Sequence, residues 1–315
     1  MRTTRIALAA ALLLVGAARA QTPPLIPCPL FPPDNVWNTD ISGLPVHASS
    51  PAYVASIGAA TGLHADFGAG LYRRAPIGIP YTVVPPSTPG VTFKFKYPDE
   101  SDVGPYPIPR DAPVEGGKHG RGDRHVLAID SGNCNLYEVF GFKSKKKVTV
   151  KWKAGSGAIW DLASNALRPA GWTSADAAGL PILPGLIRYD EILAGAVTHA
   201  VRFTVSRSQR AYLWPARHYA SSSTDPNLPP MGLRMRLKAS VDISGYSPTN
   251  QIILTGFKTY GIILADNGAD WFISGVPDDR WDNDDLHLLG AITGADFEAV
   301  DESGLMVDPD SGQAQ

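Results

Sequence analysis

Nine side chains able to do acid–base or recognition chemistry fall within the 34 residues from Leu186 to Tyr219: Arg188, Tyr189, Asp190, Glu191, His199, Arg202, Trp214, Arg217 and His218. The chain is only 18% charged and carries seven histidines, so this density is a local excess. Asp190 and Glu191 can serve as catalytic carboxylates, or can simply favour the start of a helix through its dipole. Arg202 offers a planar fork of donors for a carboxylate or for sugar hydroxyls. Along Val197–Val205, His199 alternates with Val197, Val201, Phe203 and Val205, an apolar face on which it reads either as a core histidine or as a weaker site candidate. Trp214 and Tyr219 suit a stacking platform for a sugar ring, with Arg188, Tyr189 and Arg217 beside them as substrate-binding groups. His218 is a candidate base.

A second group lies upstream. If residues 123–130 form a strand, Asp123, His125, Leu127 and Ile129 share one face, and Asp123 can fix the imidazole tautomer and raise its basicity. His119 lies on the loop just before. No cofactor is expected; the alternative is a divalent metal ion held by His119, Asp123 and His125, with His218 as a further ligand. Glu138 alternates with Cys134, Leu136 and Phe140, so it reads as an acid on a buried face with a raised pKa, suited to proton donation. Asp161, after a Gly-Ser-Gly loop, can present an acid at a cleft edge. Asp278, Asp279, Asp282, Asp284 and Asp285 are oxygen ligands without EF-hand spacing, and read as a helix N-terminal cluster on a solvated face.

These residue types support three activities. Paired carboxylates would hydrolyse a glycosidic bond. A histidine base, with an arginine neutralising a uronate, would make a polysaccharide lyase. Aromatic and polar surface without positioned acids would make a carbohydrate-binding or cell-envelope module. GxSxG, HExxH, GxxxxGK[ST] and a post-strand GxGxxG are all missing, which removes several common enzyme classes.

The elements that must position these groups are mostly short strands. In Val91–Tyr97, Val91, Phe93, Phe95 and Tyr97 face one way and Lys94 and Lys96 the other. Arg124–Asp130, Asn135–Phe142 and Val148–Lys153 read as consecutive antiparallel strands. The basic run Lys143, Lys145, Lys146 and Lys147 reads as a solvated hairpin loop, with a polyanion contact as the alternative. Thr198–Ser206, Ala211–Trp214 and Gly232–Ala239 continue the strand pattern, the last with Arg234, Arg236 and Lys238 on its polar face. Ile262–Ala265 and Trp271–Ser274 read as a hairpin turning at Asp266-Asn267-Gly268. Short helices are expected from Thr173, over Tyr189–Ala194 and over Asp282–Leu289. A longer one runs over Pro248–Tyr260, with Thr249 as its N-cap. The fold class is mostly β: a single domain of β-sandwich or jelly-roll type with a few short helices.

Residues 1–20 pair Arg2 and Arg5 with an apolar run and Ala18-Arg19-Ala20, the pattern of a secretory signal peptide. Without it the chain has 25 basic and 30 acidic residues, a net charge of −5, which argues against a nucleic-acid partner. No later apolar run is long enough to span a membrane. A disulfide between the two cysteines, Cys28 and Cys134, would suit an exported protein and could contribute up to roughly 4–5 kcal/mol by chain entropy. The 28 prolines are spread throughout, so residues 36–304 read as one domain between a Pro-rich arm at 21–35 and a fraying tail at 305–315.

The phrases GWTSADAAGLPILPGLIRYDEI, HAVRFTV, YLWPARHYASSSTDPNLPPMGLRMRLKA and YGIILADNGADWFISG resemble a family of exported bacterial proteins known only as hypothetical. The resemblance covers most of residues 90–300. It implies an independent extracellular module and lends no catalytic residues. The sequence thus predicts a secreted, monomeric, polysaccharide-acting enzyme, most simply a glycoside hydrolase.

Overall fold

A computed structural model describes residues 22–117, 120–143 and 152–315. The signal-like residues 1–20, His119 and Lys145–Lys147 lie outside the described residues. Fourteen strands and four α-helices are formed among the described residues, and strand outweighs helix, as the patterning predicts. In chain order the first strands are β1 (His64–Asp66), β2 (Leu71–Tyr72), β3 (Ala75–Pro76), β4 (Tyr81–Val84) and β5 (Phe93–Phe95). The middle of the chain forms β6 (Val126–Asp130), β7 (Asn135–Phe140), β8 (Trp152–Ala154) and β9 (Ser156–Asp161). The last five are β10 (Val201–Val205), β11 (Arg234–Leu237), β12 (Ile262–Asn267), β13 (Phe272–Ser274) and β14 (Phe297–Ala299). The helices are α1 (Ser50–Ile57), α2 (Tyr189–Ala194), α3 (Pro248–Thr259) and α4 (Asn283–His287).

A six-stranded sheet runs β1-β13-β10-β12-β11-β14 and a four-stranded sheet runs β4-β6-β7-β9. Both feed one apolar core, in which Leu127, Ile129, Leu136 and Trp160 of the smaller sheet join Val201, Phe203, Ile262 and Leu264 of the larger. Burial on both faces explains the near-continuous apolar runs of β6 and β12. Four strand pairs are parallel: β1 with β13, β10 with β12, β4 with β6 and β5 with β8. A second core of Phe93, Tyr106, Val126, Val139, Phe142 and Trp152 fills the far side of the smaller sheet, against β5 and β8.

Several expected connections are replaced. Strands β12 and β13 do not form a hairpin, because β10 lies between them and pairs with both. The third antiparallel strand beside β6 and β7 is β9, while β8 pairs with β5. The expected strand at Ala211–Trp214 is reduced to a single bridge between Tyr212 and Met231. In β11 the arginines do not face water. Arg236 pairs with Glu298 at 2.6 Å, and Arg234 donates to the Tyr260 carbonyl at 2.8 Å. Helix α3 occupies its expected span, but Ser247 rather than Thr249 caps it, its Oγ accepting the Asn250 N–H at 3.1 Å.

The chain ends are tied down. Cys28 and Cys134 form the expected disulfide. Residues 305–315, predicted to fray, are held instead by backbone bridges from Ser311 to Ala166 and from Gln313 to Asn35. Among the described residues no helix is long and apolar enough to cross a membrane.

Candidate functional site

A cleft of about 400 Å³ opens where the two sheets meet, and its walls are rich in polar groups. Asp266 comes from the end of β12, Phe140 from the end of β7 and Ser156 from the start of β9. Loops supply Tyr97, Glu100, Asp123, Ser174, Asp176 and His218.

The sequence reads residues 173–176 as a helix start, but they form a tight loop. Ser174 Oγ accepts the Asp176 N–H at 2.9 Å and donates to backbone carbonyls, an ST-type turn that competes with helix. That loop delivers the Asp176 carboxylate beneath the cleft floor. Arg202 meets it there, Nε to Oδ2 at 2.6 Å and Nη2 to Oδ1 at 2.7 Å, while Nη1 donates to Ser274 Oγ at 2.7 Å. The paired fork binds the Asp176 carboxylate through two parallel charge-assisted bonds. Asp266 lies against this pair, with Arg202 Nη2 3.4 Å from its Oδ2. Burial and then the Asp176 negative charge push the Asp266 pKa well above the usual carboxylate range. Both effects favour the protonated form of the Asp266 carboxyl. Its side chain remains 17% exposed, whereas that of Asp176 is fully covered.

His218 faces the same cleft. Its Nδ1 is 2.8 Å from the Ala177 carbonyl, so Nδ1 carries a proton and Nε2 is the nitrogen left for chemistry. Nε2 lies 3.8 Å from Glu100 Oε2, and Glu100 is anchored by the Thr173 N–H at 3.2 Å. The platform partner of His218 is Tyr219, stacked at 5.7 Å and 8°, with Tyr212 stacked beyond it.

His125 sits behind the loop, fully buried. Nδ1 lies 2.7 Å from Glu115 Oε2 in an ion pair, and Nε2 donates to the Ala175 carbonyl at 3.0 Å. The acid beside the ring favours an imidazolium. Burial opposes that charge, but the Glu115 carboxylate outweighs it and lifts the pKa to about 9. The expected Asp123 partner is not used. The strand begins at Val126, and Arg124 has φ +51°, which breaks the alternation that would have put Asp123 and His125 on one face. Asp123 lines the cleft instead. His119 lies outside the described residues, and among the described residues no group of three or more His, Cys, Asp or Glu side chains is arranged to hold a metal ion.

Other predicted site residues are used elsewhere. Glu138 is sealed in the core, where its oxygens accept the N–H groups of Ile182 and Leu183 and the Trp160 indole. Burial raises its pKa to about 7, as expected of a buried acid, but it opens onto no cleft. Asp161 is exposed and caps a turn by accepting the Ala163 N–H at 2.9 Å. Asp190 pairs with Arg280 at 3.0 Å. Glu191 is bound by Arg188 and lies 2.9 Å from His199 Nε2, so His199 is a buried histidine paired with an acid. Tyr189 packs edge-on against Trp281. Trp214 donates its indole N–H to the Ser311 carbonyl, and Arg217 pairs with Asp310 and donates to the Arg168 carbonyl. Both secure the C-terminal segment rather than a ligand. Asp282 caps α4 as expected of a helix N-terminal acid, whereas Asp278 of the same run is not solvated but buried against Arg280.

Asp176, Asp266 and Glu100 were not singled out in the sequence. Asp176 looks like a helix first turn, and Asp266 sits in an Asp-Asn-Gly that looks like a hairpin turn. A wider depression of about 820 Å³ follows the N-terminal arm, but its lining is largely apolar, and both Arg188 and His199 there are engaged by Glu191.

The fold and cleft thus define a mostly-β protein with a polar, acid-bearing cleft between two sheets. No family model matches the chain, and no curated protein or solved structure matches it either.

Proposed function

We propose that the protein is a secreted polysaccharide-acting enzyme, a glycoside hydrolase working in this cleft. The observation that carries the proposal is the Asp176–Asp266 pair: one carboxylate locked by Arg202, and beside it a protonated carboxyl that reaches the cleft. Such an acid can protonate a glycosidic oxygen as the bond to the anomeric carbon breaks. Glu100, with His218 Nε2 at its side, takes the proton from the water that attacks that carbon. Tyr97 and Asp123 add an aromatic and a polar group to the cleft walls. Secretion is supported by the signal-like residues 1–20 and by the disulfide, which persists in oxidising compartments.

A lyase has less support, because Arg202, the arginine it would need against a uronate, is spent on Asp176. A non-catalytic module has no use for a buried, proton-bearing pair that opens on a cleft. The test is a glycan panel assayed for new reducing ends and for near-ultraviolet absorbance, using the wild type and Asp266→Asn. Reducing ends without absorbance, lost in the variant, support the hydrolase. Cleavage that leaves an unsaturated, absorbing end overturns it in favour of the lyase, and full activity in the variant removes Asp266.

A further inference from the structure

A basic groove of about 440 Å³ adjoins the cleft and shares Phe140 as a wall. It is lined by Lys94, Lys96, Lys143 and Lys153, all exposed. Lys94 sits opposite Lys153 in the parallel β5–β8 pair, and Lys143 bridges to Lys153 from the other side. Three lysines therefore stand side by side across neighbouring strands. Lys96, two residues past Lys94, continues the row along the same face. On the opposite face Phe93, Trp152 and Phe142 fill the second core.

Like charges directly opposite one another destabilise a sheet. Here none of the four lysines pairs with an acid among the described residues; Lys96 only lies over the Tyr97 ring at 4.7 Å. A row of uncompensated cations on a protein of net negative charge marks a place where anions bind. The groove is continuous with the cleft, since Tyr97 and Asp123 in the cleft follow Lys96 and Gly122 in the groove.

We propose that this groove binds the anionic groups, carboxylate or sulfate, of a polysaccharide whose chain continues into the cleft. The substrate class is then an acidic glycan. The inference rests on the hydrolase reading only for the identity of the cleft; the groove itself is tested by binding. Polygalacturonate, its fully methyl-esterified form and chondroitin sulfate are titrated against the full chain carrying Asp266→Asn, and against the same chain with Lys94→Gln and Lys153→Gln added. Binding to at least one anionic polymer, weakened roughly tenfold or more by the lysine substitutions and by added salt, is expected. The esterified polymer should bind weakly and be indifferent to both. Binding of polygalacturonate shows carboxylate recognition, and binding of chondroitin sulfate alone, which carries both groups, shows a need for sulfate. Unchanged thermal stability in Lys153→Gln separates lost binding from lost folding. Equal binding of the esterified polymer, no binding of either anionic polymer, equal binding with the lysines removed, or equally tight binding of single-stranded DNA would each overturn the proposal. Lysine-dependent binding by the Asp266→Asn chain, with no cleavage of the same polymers by the wild type, would sink the hydrolase while leaving the groove intact.

Discussion

Arg202 grips Asp176 through two parallel bonds of 2.6 and 2.7 Å, with the carboxylate wholly out of solvent. Burial, and then the negative charge of Asp176, push the pKa of Asp266 beside it well above the usual carboxylate range. The arginine gives its bidentate fork to Asp176 and reaches Asp266 Oδ2 only at 3.4 Å. Because the folded pKa of Asp266 lies above its unfolded value near ~4, the group favours the folded state fully below that value. The contribution is lost as pH rises through the raised pKa. Asp266→Asn, a neutral mimic, should therefore gain stability relative to wild type as pH is raised from ~4 to ~8. Its hydrolytic rate should fall about 10²–10⁴-fold. Denaturant melts at several pH values check the first point; a stability difference that does not move with pH would remove the shared proton.

The His125–Glu115 pair makes a second pH-dependent prediction. The folded pKa of His125 is raised to about 9. Its stabilisation is therefore complete below ~6.5 and disappears as pH climbs through the folded value. Glu115 is held down at about 2, against the cost of burial, by the imidazolium, so its stabilisation is complete above ~4.3 and is lost only in strong acid. The pair contributes most between those limits. His125→Ala should cost about 3 kcal/mol near pH ~6. The cost should shrink above pH ~9, where wild type has itself lost the charge. Equal costs at both pH values would mean that the ring serves by packing alone.

The disulfide joins positions 106 residues apart and clamps the N-terminal arm to the turn between β6 and β7. Cys28→Ser with Cys134→Ser should lower unfolding stability by about 2–5 kcal/mol. Reduction of the wild type should reproduce the loss. Chemical denaturation of both forms measures it, and superimposable curves would show that the arm is held by its other contacts.

The mostly-β class, α3, α2, the disulfide and the core placement of His199 could all be read from periodicity, caps and cysteine count. These are local signals. The failures came where distant partners decide. Arg234 and Arg236 alternate as a solvent face would, yet Glu302, Glu298 and backbone carbonyls meet them from elsewhere in the chain. Asp266-Asn267-Gly268 has hairpin chemistry, but β10 inserts between the two strands it would have joined. Strand parity failed at Arg124 because one residue at positive φ resets the register. Among the cleft residues, His218 and Asp123 are legible in the sequence as candidates. Asp176 and Asp266 were hidden, because what makes them a pair is an arginine 26 positions from one and 64 from the other.

The C-terminal segment offers the sharpest check on how far local polarity misleads. Its polar, glycine-containing sequence reads as a tail that frays. In the fold, the Trp214 indole donates to the Ser311 carbonyl at 2.8 Å, and Arg217, itself buried, pairs with Asp310. Asn165 and Asn35 lie under the same segment, with the Gly312 N–H donating to the Asn165 carbonyl. A chain that ends at Gly304 would leave the Arg217 guanidinium buried without its acid and the Trp214 indole without an acceptor. Each such loss costs about 1–3 kcal/mol. Truncation at Gly304 should therefore lower the unfolding midpoint clearly, and Arg217→Ala in the full chain should reproduce part of the loss. Thermal melts of the three proteins decide it: a truncated chain that melts with the wild type would return residues 305–315 to the status of a loose end.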